Sequence, residues 1–77
     1  MKCFTVYRRK IPDSHNEDQA NLPDEPQFEG VVFSDGTVVV RWLTAKKSTS
    51  VWSCMEDLLA IHGHPEYETE VIWQDEQ

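Results

Sequence analysis

The dipeptide Asp35-Gly36 lies between two β-branched runs, and this pattern constrains the fold more than any other in the chain. The stretch reads "FEGVVFSDGTVVVRWL" over residues 28–43. A tight type I′ turn requires positive φ at both central residues, which Asp-Gly accommodates. The segment therefore predicts a β-hairpin with a two-residue loop, in which Phe33 lies opposite Val38.

This register assigns each hairpin side chain to a face of the sheet, because directly opposed residues in an antiparallel pair lie on the same face. One face is predicted to carry Val31, Phe33, Val38, Val40 and Trp42. The other face is predicted to carry Phe28, Val32, Val39 and Leu43, with Gly30 and Arg41. Both faces are substantially apolar. We expect a helix to cover one, and the N-terminal segment or a partner to cover the other.

Three further segments alternate apolar and polar residues, which is typical of strands. They read "KCFTVYR" at 2–8, "STSVW" at 48–52 and "ETEVIWQ" at 68–74. A chain of 77 residues has room for one core, since it buries only about 60% of its unfolded surface. We predict one domain over 1–77 of the α+β class, a small antiparallel sheet of four to five strands with one short helix packed on one face.

The stretch "SCMEDLLAIHGHP" at 53–65 predicts that helix. Ser53 and Glu56 match a capping box at its start. Gly63 is placed for the left-handed residue after the last turn, and Pro65 prevents continuation. The helical spacing places one face of about two turns on these residues: Met55, Leu58, Leu59 and His62.

His62 and His64 raise the alternative of a metal site. A structural zinc usually needs four Cys or His ligands, and Cys54 is separated from His62 by about 12 Å of helix. We therefore expect no metal and no cofactor. His62 is expected to pack on the helix C-terminal carbonyls, where its protonated form is favoured, and His64 to shape the turn. A small metal-binding protein using His62 and His64 is the second alternative function.

Residues 11–27 are predicted to be a mobile acidic loop. The segment holds three of the chain's four prolines and few apolar residues, so it cannot bury enough surface to offset the entropy of ordering. The whole chain carries 14 acidic and 7 basic residues, a formal charge of -7. That charge disfavours direct binding to nucleic acid or to anionic membranes and is compatible with a basic protein partner.

The location and chemistry of the chain are narrowed mainly by exclusion. The start "MKCFTVYRRK" lacks the continuous apolar run of a secretory signal, and no run approaches the ~18 apolar residues of a membrane helix. We expect a cytoplasmic protein with two reduced thiols, Cys3 and Cys54. No nucleophile elbow, catalytic carboxylate cleft or glycine-rich phosphate loop is recognised, so we expect no enzyme and no catalytic residue.

The function that fits is a non-enzymatic acidic protein-interaction module, an accessory protein or inhibitor that docks on a host or partner protein. The predicted partner-binding residues are Asp24, Glu25, Trp42, Trp52, Glu68, Glu70 and Trp73. The first alternative is a nucleic-acid-binding domain that uses two basic groups, Arg8-Arg9-Lys10 and Lys46-Lys47. A small β domain with an uncovered apolar face or edge also pairs readily with itself, so a homodimer is a further expectation.

Several turn and cap positions match together in "EGVVFSDGTVVVRWLT", "STSVW" and "EDLLAIHGHPEYETEVIW". In this set the chain resembles a group of short actinobacterial and actinophage proteins that share an F-DGT-V-RW hairpin and an HGH helix end. The similarity covers about residues 28–73. It implies the architecture above and a bacterial or phage cytosolic setting, and it adds no catalytic residue.

Overall fold

The computed structural model describes residues 1–10 and 21–74. These residues form β1 (Lys2–Arg8), β2 (Pro26–Val32), β3 (Val38–Trp42), β4 (Ser48–Trp52), helix α1 (Met55–His62), a 3₁₀ turn (Pro65–Tyr67) and β5 (Thr69–Gln74). All neighbouring strands are antiparallel, in the order β4-β3-β2-β1-β5. The predicted α+β class, with a five-stranded sheet and one short α-helix, is confirmed for the described part of the chain.

The core lies between α1 and one face of the sheet. Leu58 is the buried residue of α1, and it packs on side chains that point the same way from β1, β2 and β3. The buried apolar residues are Phe4, Val6, Phe28, Val38, Val40 and Leu58. The helix covers the β4 half of this face, and the β5 half is less covered. Phe4 and Val6 share a face as their alternation predicts.

The hairpin register differs from the predicted one by one residue. β2 and β3 pair Val32 with Val38 and Val31 with Val39, whereas a two-residue loop placed Phe33 opposite Val38. A slip of one residue moves side chains to the opposite face of a strand. The face towards α1 therefore carries Phe28, Gly30, Val32, Val38, Val40 and Trp42, and the other face carries Glu29, Val31, Val39 and Arg41.

The loop is longer than predicted because the Asp-Gly pair occupies later positions in it. The Gly36 N–H donates to the Phe33 carbonyl at 3.0 Å, and the Phe33 N–H donates to the Thr37 carbonyl at 2.8 Å. Gly36 has φ 95°, and the Thr37 N–H donates to Asp35 Oδ1 at 2.9 Å. This is the geometry of a three-residue loop in which glycine takes the left-handed position. Phe33 lies at the loop and is 40% exposed.

Both ends of α1 also differ from the predicted caps. The N-cap is Cys54, and no side chain caps the first turn, so the capping box at Ser53 is wrong. Gly63 is right-handed, with φ -72°, and its N–H donates to the Leu59 carbonyl at 2.8 Å. The left-handed residue is His64, with φ 35°.

The predicted loop at 11–27 extends two residues too far, since Pro26 and Gln27 begin β2. Gln27 is only 1% exposed, and its Oε1 accepts from the Asn21 N–H at 3.0 Å. Residues 11–20 lie outside the described residues. Within the described part, no helix has the length and apolar character needed to cross a membrane.

Candidate docking surface

In the part of the chain that the structure describes, β5 is an edge strand of the sheet, and it carries exposed apolar side chains on both faces. Among the described strands it pairs with β1 alone. Ile72 points away from the helix side and is 40% exposed, and Trp73 points to the helix side and is 46% exposed. The Trp73 ring centroid lies 5.4 Å from that of Phe4, so one side of the indole packs on the core and the other side is exposed to solvent. An exposed apolar edge is a geometry that accepts another strand.

Four predicted docking residues lie around the start of β5. Arg9 Nε donates to Glu70 Oε1 at 2.7 Å, and Arg9 Nη1 donates to the Pro23 carbonyl at 2.9 Å. Because Pro23 begins the short turn that precedes β2, Arg9 ties this turn to β5. The structure thereby gathers four exposed carboxylates at one end of the sheet: Asp24, Glu25, Glu68 and Glu70.

Trp42 on β3 and Trp52 on β4 lie towards the opposite edge of the sheet from β5, and both are half-buried. Their Nε1 atoms both donate to Ser50 Oγ, at 3.2 Å and 3.1 Å. The His62 ring packs edge-on against both, with centroids 4.8 Å from Trp42 and 5.3 Å from Trp52. The structure brings these two tryptophans together and separates Trp73 from them, because β5 and β4 are opposite edges.

His62 is held towards its neutral form, which contradicts the predicted protonated histidine on the helix carbonyls. Burial lowers the pKa of His62, and electrostatic interactions with His64 and Arg8 lower it further. The indole rings of Trp42 and Trp52 pack against the imidazole and contribute to its burial. His62 therefore acts as a packing residue at this end of the sheet.

The lowered pKa of His62 predicts a pH dependence of stability. The unfolded imidazole titrates near 6.5, so below that pH the unfolded chain binds the proton more readily than the folded chain. The free energy of unfolding should fall as the pH drops from 7.5 to 5.5. Urea denaturation at both pH values measures the loss, and His62→Gln should reduce it.

His64→Gln is the matched control for this prediction, because it leaves the burial of His62, the largest cause of the shift, in place. This variant should keep most of the pH dependence. An equal pH dependence in the wild type and in His62→Gln would show that His62 does not contribute.

His64 has different neighbours from His62. Its Nδ1 lies 3.0 Å from Glu66 Oε1, and its ring stacks on Tyr67 with centroids 5.2 Å apart. His64 thus shapes the turn between α1 and β5, as predicted. Within residues 1–10 and 21–74, no group of three or more His, Cys, Asp or Glu side chains is placed to hold a metal ion.

Arg8 is the residue of this region whose environment the sequence analysis missed. Its guanidinium carbon lies 5.6 Å from the Tyr67 ring centroid, and its Nε is buried with no hydrogen-bond partner among the described residues. Burial lowers the pKa of Arg8, and Tyr67 and Glu66 partly oppose this. The alternation of β1 carries the signal, since Arg8 follows Phe4 and Val6 on the buried face.

The two predicted basic groups lie at the same end of the sheet, where β1 ends and β4 begins. Their charges are only partly free for a ligand. Arg9 is ion-paired with Glu70 and lies over the Tyr7 ring, 4.2 Å from its centroid. Lys47 Nζ donates to the Thr44 carbonyl at 3.2 Å. Surrounding carboxylates and internal contacts therefore weaken the nucleic-acid alternative.

Fold and surface together define a small α+β protein with one exposed apolar edge strand and an acidic margin. Residues 28–75 match the Acb5 phage protein family, and this segment is more than half of the 77-residue chain. The chain belongs to this family of phage proteins. The match confirms the phage part of the resemblance, whereas its actinobacterial part stays a prediction. No curated protein and no solved structure matches the chain.

Proposed function

We propose that this phage protein is a non-enzymatic acidic accessory module that docks on a host or partner protein through the edge strand β5. The observation that carries the proposal is the exposure of apolar side chains on both faces of a free edge, Ile72 at 40% and Trp73 at 46%. An extended partner segment that adds to β5 gains backbone hydrogen bonds and covers both side chains at once.

The other edge, β4, is less suited to strand addition. Three of its five residues are Ser or Thr, exposed Lys46 and Lys47 precede it, and α1 packs beside it. Charged residues, above all lysines, are a common protection of edge strands against pairing. β5 contains Val71, Ile72 and Trp73 in succession, and its single charged residue, Glu70, is ion-paired with Arg9. The asymmetry supports β5 as the docking edge.

The charge around β5 supports a basic partner segment. Exposed Glu68 and Glu70 lie at its start, with Asp24 and Glu25 nearby. The net charge of -7 steers a cationic partner towards this surface and raises the rate of encounter. A nucleic-acid-processing protein with a basic groove is one partner with this chemistry, and inhibition of such a protein is the most specific form of the proposal.

The test is affinity purification of the tagged protein from phage-infected host cells, with Ile72→Lys compared with wild type. Lysine on the edge should reduce the co-purified partner at least about tenfold, since it places a charge where the added strand must pack. The matched control is Ile61→Lys, which changes an α1 residue that is 60% exposed and should retain the partner. Melting temperatures of both variants verify the fold.

Two outcomes contradict the proposal. One is that Ile72→Lys and Ile61→Lys recover equal amounts of the partner, whether reduced or unchanged, which would place the docking surface elsewhere. The other is that the tagged protein co-purifies with nucleic acid, loses its partner after nuclease treatment, and binds purified DNA or RNA at low salt. That result would favour the nucleic-acid alternative.

A further inference from the structure

The sheet face that points away from α1 carries an arrangement of apolar and charged side chains that neither the core nor the β5 edge explains. We refer to this face as the open face. At one end of it, the Asn21 N–H donates to Gln27 Oε1, and Asn21 Nδ2 donates to the carbonyls of Pro26 and Leu43. Beyond Gln27, the positions from all five strands are Cys3, Thr5, Glu29, Val31, Val39, Arg41, Thr49, Val51, Ile72 and Gln74.

Four of these positions form a row that crosses the sheet at right angles to the strands. Val51 pairs with Val39, Val39 with Val31, and Val31 with Cys3. Val51 is 67% exposed. A depression of about 370 Å³ lies along the row and is lined in part by Cys3, Val31 and Val39. Solvated faces of antiparallel sheets carry mainly polar side chains, so an apolar row indicates a surface that another surface covers.

The adjacent row contains a pair of opposite charges near its centre. Glu29 on β2 is the direct partner of Arg41 on β3, and both are exposed. Arg41 Nη1 donates to Thr49 Oγ1 at 3.1 Å, which orients the guanidinium along the face. The open face thus carries one positive and one negative group side by side, next to a strip of valines.

We propose that the open face is the interface between two copies of this chain, related by a two-fold axis. The axis lies in front of the open face, parallel to the strands and level with the space between β2 and β3. This operation places β2 of one copy over β3 of the other at the same height along the strands. Glu29 then faces Arg41 of the second copy, Val31 faces Val39, and Cys3 faces Val51. The interface is isologous, since one patch covers itself.

A second copy fits this face better than an unrelated partner because a single symmetry operation satisfies both rows. The valine row meets itself, and each charge meets its opposite. Two sheets stacked face to face at about 10 Å interdigitate such side chains. The repulsion between two chains of charge -7 is screened at physiological salt, and the interface itself is neutral. The axis leaves β5 uncovered, so dimerisation is independent of the proposed docking edge.

The test uses sedimentation equilibrium of the full chain from about 1 to about 200 µM, concentrations chosen to bracket a micromolar dissociation constant. The wild type should dimerise. Glu29→Arg gives a patch with two positive groups, and Arg41→Glu gives a patch with two negative groups. Each variant alone should dissociate at least about tenfold more readily, because like charges face each other in its homodimer.

The decisive measurement is the equimolar mixture of the two variants. In a mixed dimer both arginines of one copy face both glutamates of the other, so the mixture should dimerise at least as tightly as the wild type. A purely intramolecular role of the Glu29–Arg41 pair gives no recovery on mixing. Glu56→Arg on α1 makes the same charge change as Glu29→Arg, away from the open face, and should remain dimeric.

Three results overturn the proposal. These are a monomeric wild type at 200 µM, a dimer that both single variants retain, and a mixture that stays monomeric while the circular dichroism of each variant shows a native sheet. Loss of partner binding by Ile72→Lys bears on the docking edge alone and leaves this result unaffected.

Discussion

Phe28→Ala should lower the free energy of unfolding by about 3–5 kcal/mol, the usual cost of deleting a buried phenylalanine ring. Phe28 is 0% exposed, and its ring centroid lies 6.5 Å from that of Phe4 and 4.5 Å from that of Trp42. Small domains have total stabilities near the lower end of about 5–15 kcal/mol. A loss at the upper end of the range would therefore leave about half of the Phe28→Ala molecules unfolded at 25 °C.

Urea denaturation followed by tryptophan fluorescence measures this loss, and Phe33→Ala is the matched control. Phe33 lies at the hairpin loop and is 40% exposed, so its removal should cost less than about 1 kcal/mol. The comparison also tests the register. The register predicted from the sequence places Phe33 opposite Val38 on an apolar face, and burial of the ring there would make Phe33→Ala cost more than about 1 kcal/mol.

The hairpin could be predicted from the sequence, but its register could not. Asp-Gly suits a two-residue loop, and it equally suits a three-residue loop whose last residue is a left-handed glycine. Both faces of β2 and β3 contain apolar residues, so hydrophobic alternation does not choose between the two. Burial of Phe28 against β1 and α1 decides, and that contact joins distant segments.

The order of the strands was equally inaccessible from local patterns. β1 lies between β2 and β5, so the N-terminal strand is internal and both of its neighbours come from later segments. The alternation of residues 2–8 predicts a strand and correctly places Phe4 and Val6 on one face, but it does not say which strands flank it. The family match begins at residue 28 and leaves out this internal strand.

The candidate docking surface was predictable in part for the same reason. Clustering of the acidic residues depends on Arg9, whose two hydrogen bonds join the turn before β2 to β5. The exposure of Trp73 follows from the position of β5 at an edge, whereas Trp42 and Trp52 are held by Ser50 and His62. Composition shows that tryptophans are present, and only strand order separates the exposed one from the packed pair.

Gly30→Ala should also destabilise the fold severely, because Gly30 occupies a position where the sheet has no room for a side chain. Gly30 pairs with Phe4 on one side and Val40 on the other. A Cβ at Gly30 would lie 2.5 Å from the Val39 carbonyl oxygen and 2.6 Å from Phe4 Cζ. Overpacking of this kind costs about 1–3 kcal/mol. We expect the upper end, since one of the two clashing atoms belongs to the backbone of the neighbouring strand.

Gly36→Ala separates this steric effect from the conformational effect of losing a glycine. Gly36 has φ 95°, and the nearest atom to its Cβ would be the Ser53 carbonyl oxygen at 4.0 Å, so only backbone strain of about 1–2 kcal/mol is expected there. Urea denaturation of Gly30→Ala in wild-type and Phe4→Leu backgrounds then isolates the ring contact. Because leucine cannot reach as far as Phe4 Cζ, part of the Gly30→Ala cost should disappear in the second background. If Gly30→Ala costs the same in both backgrounds, the whole effect belongs to the Val39 carbonyl. If Gly30→Ala in the wild-type background costs less than Gly36→Ala, the close approach of Phe4 to Gly30 is contradicted.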